Sequence, residues 1–138
     1  MKEKELEDYF IDTIEHISES CYWGEIERFE RQYILPIKNG RIIADVMIWH
    51  KDGTGTCVEI KTGTNNRNDD LMGISQLLLY GTVMEELLTK LPRLVLVRPE
   101  ISPLTFTMIE RFNLPIALLQ LTDNKCIYLS NGTKNNTT

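Results

Sequence analysis

One apolar segment with a single carboxylate inside it constrains the fold of this chain more than any other feature. Residues 42–49 read Ile-Ile-Ala-Asp-Val-Met-Ile-Trp, so the segment is apolar at nearly every position. A strand with this pattern is typical of a sheet that is covered on both faces. An ionised Asp45 inside it would cost several kcal/mol unless a cation compensates the charge. We therefore expect Asp45 to face an Arg or Lys side chain or a metal ion.

The rest of the pattern predicts a single mixed α/β domain over residues 1–130, followed by a flexible polar tail over residues 131–138. The predicted order is αβββαβαββ, and the first three strands form an antiparallel meander. The long central helix is expected to be capped by Asn68 or Asp69. The predicted elements are a helix over 3–18, strands over 28–35, 41–49 and 56–62, a helix over 70–90, a strand over 93–98, a helix over 103–112 with Ser102 as its cap, and a closing hairpin of 116–121 and 125–129 around Asp123-Asn124.

Charge and composition exclude some classes of protein. The formal net charge is −5, which argues against a simple basic nucleic-acid binder. The charge is unevenly placed, however: residues 1–30 hold 3 bases and 10 acids, whereas residues 31–138 hold 12 bases and 10 acids. No stretch approaches the roughly 20 apolar residues that span a bilayer, so no membrane partner is expected. The lack of an N-terminal apolar run and the three widely spaced cysteines predict a cytoplasmic protein.

A second carboxylate and an amine are predicted to lie beside Asp45. Side chains alternate across a strand, so Glu59 and Lys61 point to one face. If the preceding hairpin turns at residues 52–55, Asp45 lies across from residues 59–61. Two carboxylates with open coordination positions suit Mg²⁺, and the backbone carbonyl of Ile60 is a candidate further ligand. This trio suits metal-dependent phosphodiester cleavage, in which a metal lowers the pKa of a bound water and Lys61 stabilises developing charge.

A polar pair on the following helix supports the same interpretation. Gln76 and Tyr80 are four residues apart, so they share one helix face. The alternative for Gln76 is a buried amide bonded to backbone. The alternative for Glu59 and Lys61 is a solvated strand face, and the position of Asp45 in an apolar strand argues against it.

In order and spacing these residues resemble the signature of the PD-(D/E)xK nuclease superfamily. Ile-Ala-Asp at residues 43–45 is followed, after thirteen residues, by Glu-Ile-Lys at 59–61. The spacing of Gln76 and Tyr80 is similar to the QxxxY motif of the RecB-like branch, and the whole set resembles the catalytic domain of NucS-type endonucleases. The resemblance covers about residues 1–98. Ala44 stands where the name of the signature has proline.

The resemblance implies a restriction-endonuclease-like core, αβββαβ with a mixed central sheet, which is followed here by a helix and a C-terminal hairpin. It implies that Asp45 and Glu59 are metal ligands and that Lys61 is the catalytic lysine. Gln76 and Tyr80 would orient the substrate or support the lysine. Such families often add a glutamate from the first helix, for which Glu7 is favoured over Glu3.

The sequence thus predicts a Mg²⁺-dependent DNA nuclease in which Mn²⁺ can substitute for Mg²⁺. Three alternatives stay open: a catalytically inactive nuclease-like domain that binds nucleic acid or a partner protein, an assembly domain in which Asp45 pairs with Arg41 or Lys61, and the same chemistry on RNA. A homodimer or a larger nucleic-acid-processing complex is a further expectation. The sequence does not distinguish an endonuclease from an exonuclease.

Overall fold

The computed structural model describes residues 2–38, 40–63, 66–122 and 125–130, with Asn66 and Ser130 described for their backbone alone. The six strands form one mixed sheet in the order β1-β2-β3-β4-β5-β6. The elements are α1 (Glu3–Asp12), α2 (Ile14–Ser20), β1 (Ile26–Ile34), β2 (Ile43–His50), β3 (Gly55–Ile60), α3 (Asn66–Leu88), β4 (Arg93–Arg98), α4 (Pro103–Arg111), β5 (Ile116–Thr122) and β6 (Lys125–Ser130).

The strand pairing has an antiparallel part and a parallel part. Strands β1, β2 and β3 pair antiparallel, so the predicted meander is confirmed. Strands β3, β4 and β5 pair parallel, with α3 and α4 as the crossover helices, and β6 returns antiparallel to β5. The predicted tail at residues 131–138 and the turn at Asp123-Asn124 lie outside the described residues.

The sheet is covered on both faces, as the apolar pattern of β2 predicts. One buried cluster joins Leu6 of α1 and Ile17 of α2 to Val58 and Ile60 of β3. The other cluster joins α3 and α4 to the opposite face and includes Leu77, Ile109, Cys57 and Leu96. None of the described helices is both long and apolar enough to cross a membrane.

The single first helix predicted over residues 3–18 is wrong, because the helix is interrupted at Thr13. The Thr13 hydroxyl donates a hydrogen bond to the Tyr9 carbonyl at 2.8 Å, and the Thr13 backbone leaves the helical region at φ −112° and ψ 12°. A threonine that bonds back to the preceding turn competes with the backbone ladder and bends a helix. The apolar stripe continues across the break, since Phe10 and Ile14 are both buried.

The predicted cap of the long helix is also wrong. Helix α3 begins at Asn66, so Asn68 and Asp69 lie inside its first turn. Asp69 and Asp70 instead direct their carboxylates toward Arg98, at the end of β4. The preference of Asn and Asp for caps is local, and here a partner distant in sequence overrides it.

A glycine determines how closely α3 approaches the sheet. A Cβ atom added at Gly73 would lie 2.5 Å from Leu96 Cδ1 and 3.6 Å from Lys61 Cγ. A larger residue at this position would have to displace the Leu96 side chain or the helix. The close approach brings the inward face of α3, which carries Gln76 and Tyr80, over the end of β3.

Candidate active site

Asp45 lies where the ladder between β2 and β3 ends. The pairing runs from Trp49 opposite Gly55 to Val46 opposite Val58. Beyond that point the Asp45 carboxylate takes the place of a backbone partner, since its Oδ2 accepts a hydrogen bond of 2.7 Å from the Ile60 N–H. This contact places Asp45 beside residues 59–61, as the sequence predicts.

Glu59 and Lys61 meet on the face of β3 that lies toward α3. The Lys61 ammonium lies 3.2 Å from Glu59 Oε2, and the two side chains are 17% and 4% exposed. The Tyr80 hydroxyl lies 3.1 Å from Glu59 Oε1 and 3.0 Å from the Ile43 carbonyl oxygen. A phenol carries one proton, so Tyr80 donates to one of these two acceptors at a time. Glu59 is therefore held between the amine of Lys61 and the hydroxyl of Tyr80.

Burial and nearby carboxylates raise the pKa values of both Glu59 and Asp45. Burial and the charge of Asp45 raise the pKa of Glu59 to about 7, while Lys61 and Tyr80 oppose the rise. Burial and the charge of Glu7 raise the pKa of Asp45, and the Ile60 amide opposes that rise. The metal-free site thus favours a proton on Glu59 near neutral pH, because burial and the charge of Asp45 outweigh Lys61 and Tyr80 there.

Gln76 contributes a polar atom that no described residue partners. The side chain is half-buried, and its Oε1 is buried with no hydrogen-bond partner in the part of the chain that the structure describes. The alternative of a buried amide bonded to backbone therefore has no contact at Oε1 to support it, and it stays a prediction. A buried acceptor left unsatisfied costs roughly 1–3 kcal/mol, so its presence calls for an explanation.

Glu7, the favoured glutamate of the first helix, already has two protein partners. Arg31 Nε lies 2.8 Å from Glu7 Oε2, and Gln32 Nε2 lies 3.0 Å from Glu7 Oε1. The same Gln32 amide reaches Asp45 Oδ1 at 3.5 Å, so it bridges α1 to the candidate site. Gln32 has φ +49°, an uncommon conformation for a residue other than glycine. The role of Glu7 as a metal ligand stays a prediction.

Glu3, the other glutamate considered, also interacts electrostatically with the site. Burial raises the pKa of Glu3, and the charge of Asp45 adds to the rise while Lys61 opposes it. Glu3 and Glu7 therefore both lie within electrostatic reach of Asp45.

Within residues 2–38, 40–63, 66–122 and 125–130, no three His, Cys, Asp or Glu side chains lie close enough together to hold a metal ion by themselves. The donor set nevertheless fits Mg²⁺, which takes few protein ligands and keeps several waters. The fit rests on the carboxylates of Asp45 and Glu59, which lie beside the backbone of residues 59–61, and on the Gln76 oxygen, for which no described residue is a hydrogen-bond partner. The proposed ligation by the Ile60 carbonyl stays a prediction.

Among the described residues, no ion pair joins Asp45 to Arg41 or Lys61, and Lys61 pairs with Glu59. That pairing was the basis of the assembly-domain alternative, which therefore loses its structural support. Asp45 is held instead by neutral donors, the Ile60 and Gln32 amides.

Sequence reasoning missed two groups next to the site. Arg31 and Gln32 could not be assigned to Asp45 without the register of β1 on β2, which places Arg31 opposite Val46. The buried pair of Arg98 and Asp70 joins residues 28 positions apart. A charged residue at the end of the apolar strand β4 was the available signal, of the same kind that singled out Asp45.

The chain resembles solved structures of nucleases. A repair endonuclease from Pyrococcus abyssi matches with a TM-score of 0.54 and 20% sequence identity, over 83% of this chain and 46% of that chain. The predicted restriction-endonuclease-like fold is confirmed. An EndoMS complex with double-stranded DNA matches with a TM-score of 0.43 and 21% identity, over 74% of this chain and 40% of that chain. The chain thus spans less than half the length of either structure. No protein-family model and no curated protein matches it.

Proposed function

We propose that this chain is a Mg²⁺-dependent DNA nuclease of the PD-(D/E)xK type, in which Mn²⁺ can substitute. The convergence of Asp45, Glu59 and Lys61 at the end of one strand pair carries the proposal. The fold shared with a repair endonuclease supports it. In this proposal the ion is held by Asp45 and Glu59, with the Ile60 carbonyl and Glu7 as further ligands.

A bound Mg²⁺ would supply a water of lowered pKa and would neutralise charge on the scissile phosphate. Lys61 contributes a half-buried ammonium whose Nζ already contacts an anionic oxygen of Glu59. A donor fixed in this way can orient the attacking water and stabilise charge that develops on the phosphate.

Tyr80 and Gln76 support these groups from α3. The Tyr80 hydroxyl restrains Glu59 Oε1, so the carboxylate keeps its orientation when Lys61 is engaged elsewhere. Gln76 offers a buried acceptor that substrate or a site-bound water could satisfy.

The acidic net charge does not argue against DNA as the substrate. The acidic excess belongs to residues 1–30, and in α1 two of these acids, Glu7 and Asp8, share the charge of Arg31. Two of the remaining acids, Asp45 and Glu59, would face the metal. We expect the metal-free protein to bind DNA weakly, since no net positive charge compensates the phosphates. A homodimer or larger complex and a cytoplasmic location stay predictions.

The test is a cleavage assay on duplex DNA, single-stranded DNA, a flap, a four-way junction and RNA, with Mg²⁺, with Mn²⁺ and with a chelator. We expect metal-dependent cutting of at least one DNA substrate, and Asp45→Ala should abolish it. Cutting of RNA alone would replace the substrate in this proposal. Absence of cutting, together with absence of Mn²⁺ binding by calorimetry, would favour a catalytically inactive binding domain.

A further inference from the structure

A buried arginine contacts the backbone that follows Lys61. Arg98, the last residue of β4, is 1% exposed. Its Nε lies 2.7 Å from an oxygen of Asp70, which is fully buried. The same guanidinium donates to the Gly63 carbonyl oxygen at 3.2 Å and to the Glu100 carbonyl oxygen at 3.1 Å. One side chain therefore connects the segment after Lys61, the start of α3 and the end of β4.

The partner of Arg98 has a separate function in packing. Asp70 Oδ2 accepts hydrogen bonds from the Ser102 amide at 3.0 Å and from the Thr105 hydroxyl at 2.6 Å. These contacts attach the start of α3 to the start of α4. They do not involve Gly63, so a substitution can remove a contact of Asp70 while the bond from Arg98 to Gly63 stays.

The backbone from Lys61 to Gly63 is fixed at more than one point. The Lys61 N–H donates to the Val97 carbonyl oxygen at 3.1 Å, and two residues later Arg98 holds the Gly63 carbonyl. Asp69 packs so closely on Gly63 that a Cβ atom added there would lie 1.7 Å from Asp69 Oδ2. The backbone is thus held at the Lys61 amide and again at Gly63, two residues further along the chain.

Stability alone is a weak reason for this arrangement. Burial of an ion pair costs desolvation free energy that well-packed apolar residues would avoid. What apolar residues cannot supply is a rigid fork of donors aimed at several oxygens at once. Among the oxygens that Arg98 reaches, the Gly63 carbonyl belongs to the segment that carries Lys61.

We propose that Arg98 is a positioning residue for Lys61, an inference that rests on the proposed nuclease function for its effect on the reaction. By fixing the Gly63 carbonyl it keeps the backbone after β3 in place, so that the Lys61 ammonium stays against Glu59. Because a misplacement of about 1 Å can cost about 100-fold in rate, loss of this hold affects turnover more than substrate binding.

The kinetic test compares Arg98→Lys with Thr105→Val. Arg98→Lys keeps a positive charge beside Asp70 but has no planar fork to reach Gly63 as well, whereas Thr105→Val removes a bond to Asp70 and leaves Gly63 untouched. At a temperature at which both variants are folded, we expect kcat to fall at least about tenfold in Arg98→Lys with KM changed less than about threefold. In Thr105→Val both constants should stay near those of the unchanged chain. Equal kinetics in the two variants would overturn the proposal.

A second measurement needs no activity. Two observables in the metal-free protein report directly how firmly Lys61 is held in place. They are the NMR signals of the Lys61 side chain, assigned by their loss in Lys61→Arg, and the hydrogen-exchange rate of the Lys61 amide. We expect both to change in Arg98→Lys and neither in Thr105→Val. Unchanged Lys61 signals in folded Arg98→Lys would overturn the positioning role. Changed signals in a protein that cuts no nucleic acid would instead overturn the nuclease function alone.

If Arg98→Lys does not fold, Gly63→Ala disturbs the same segment from the other side, because its added Cβ must displace Asp69. We expect Gly63→Ala to change the Lys61 signals in a chain whose Arg98 is intact. A folded Gly63→Ala protein with unchanged Lys61 signals would show that this segment does not position Lys61.

Discussion

The Asp45 carboxylate accepts the backbone N–H of Ile60 at 2.7 Å, at the point where β2 and β3 stop pairing. This bond holds one acidic residue beside the backbone that joins Glu59 to Lys61. Because Oδ2 has a neutral donor and Lys61 pairs with Glu59, the negative charge of Asp45 remains available to a cation.

Asp45→Asn separates the structural bond of Asp45 from its charge. The asparagine oxygen can still accept the Ile60 N–H, so the free energy of unfolding in denaturant should fall by less than about 1 kcal/mol. Calorimetry with Mn²⁺ should show that binding is lost, because the neutral amide is a weak ligand for a hard cation. Asp45→Ala should lose binding as well and be less stable by a further 1 kcal/mol or so. Unchanged Mn²⁺ affinity in Asp45→Asn would remove Asp45 from the metal site.

Tyr80→Phe removes the hydroxyl that restrains Glu59. The loss leaves Glu59 Oε1 and the Ile43 carbonyl without their shared donor, so we expect about 1 kcal/mol less stability and about a tenfold lower kcat. Tyr128→Phe is the matched control, since the buried Tyr128 hydroxyl has no hydrogen-bond partner within the described ranges. That variant should match the unchanged chain in both measurements. Equal kcat in the two variants would assign Tyr80 to packing alone.

The pKa of Glu59 predicts how the stability of the metal-free protein depends on pH. The folded-state pKa of about 7 lies above the ordinary value of 4.5, so the folded state binds the proton more tightly than the unfolded chain. The resulting stabilisation is complete below about pH 4.5 and is lost as the pH rises through about 7. Glu59→Gln does not titrate and avoids this loss.

Unfolding in denaturant at several pH values, without metal, measures the difference between Glu59→Gln and the unchanged chain. We expect this difference to grow from about pH 4.5 to about pH 7, by roughly 3 kcal/mol in favour of Glu59→Gln. Mg²⁺ should reduce it, since the metal binds the ionised carboxylate. A difference independent of pH would show that Glu59 titrates normally and is not held beside Asp45.

Gln76→Leu tests whether Gln76, whose Oε1 has no hydrogen-bond partner among the described residues, acts in the site. Removal of a buried acceptor without a partner should leave the protein equally stable or up to about 1 kcal/mol more stable. If Gln76 acts on substrate, cutting should slow even though stability does not fall. Full activity in a folded Gln76→Leu protein would make Gln76 a core residue only.

The parts of the site that strand and helix periods determine were predictable from the sequence. Alternation along β3 places Glu59 and Lys61 together, and the helical period brings Tyr80 to the same place. The apolar surroundings of Asp45 marked it as a residue that needs a partner. These inferences depend only on neighbours within one element or one hairpin.

The contacts that depend on distant partners were not predictable. The hydrogen bonds that link Glu7 through Gln32 to Asp45 depend on the register of β1 and on the position of α1 against the sheet. The start of α3 was predicted at the wrong residue because the carboxylates of Asp69 and Asp70 pair with Arg98 and do not cap the helix. The break of the first helix at Thr13 results from a hydroxyl that bonds back to Tyr9, which the apolar stripe does not reveal.

The most direct test of the central claim is cleavage of duplex and single-stranded DNA by Lys61→Ala and by the unchanged chain, with Mn²⁺ binding measured on the same samples. In the proposed function Lys61 is the donor that orients water and stabilises phosphate charge, whereas Asp45 and Glu59 are the proposed ligands. We therefore predict that Lys61→Ala folds and still binds Mn²⁺ but cuts at least about 100-fold more slowly. Cutting by Lys61→Ala at the rate of the unchanged chain, or cutting that persists in chelator, would contradict the account.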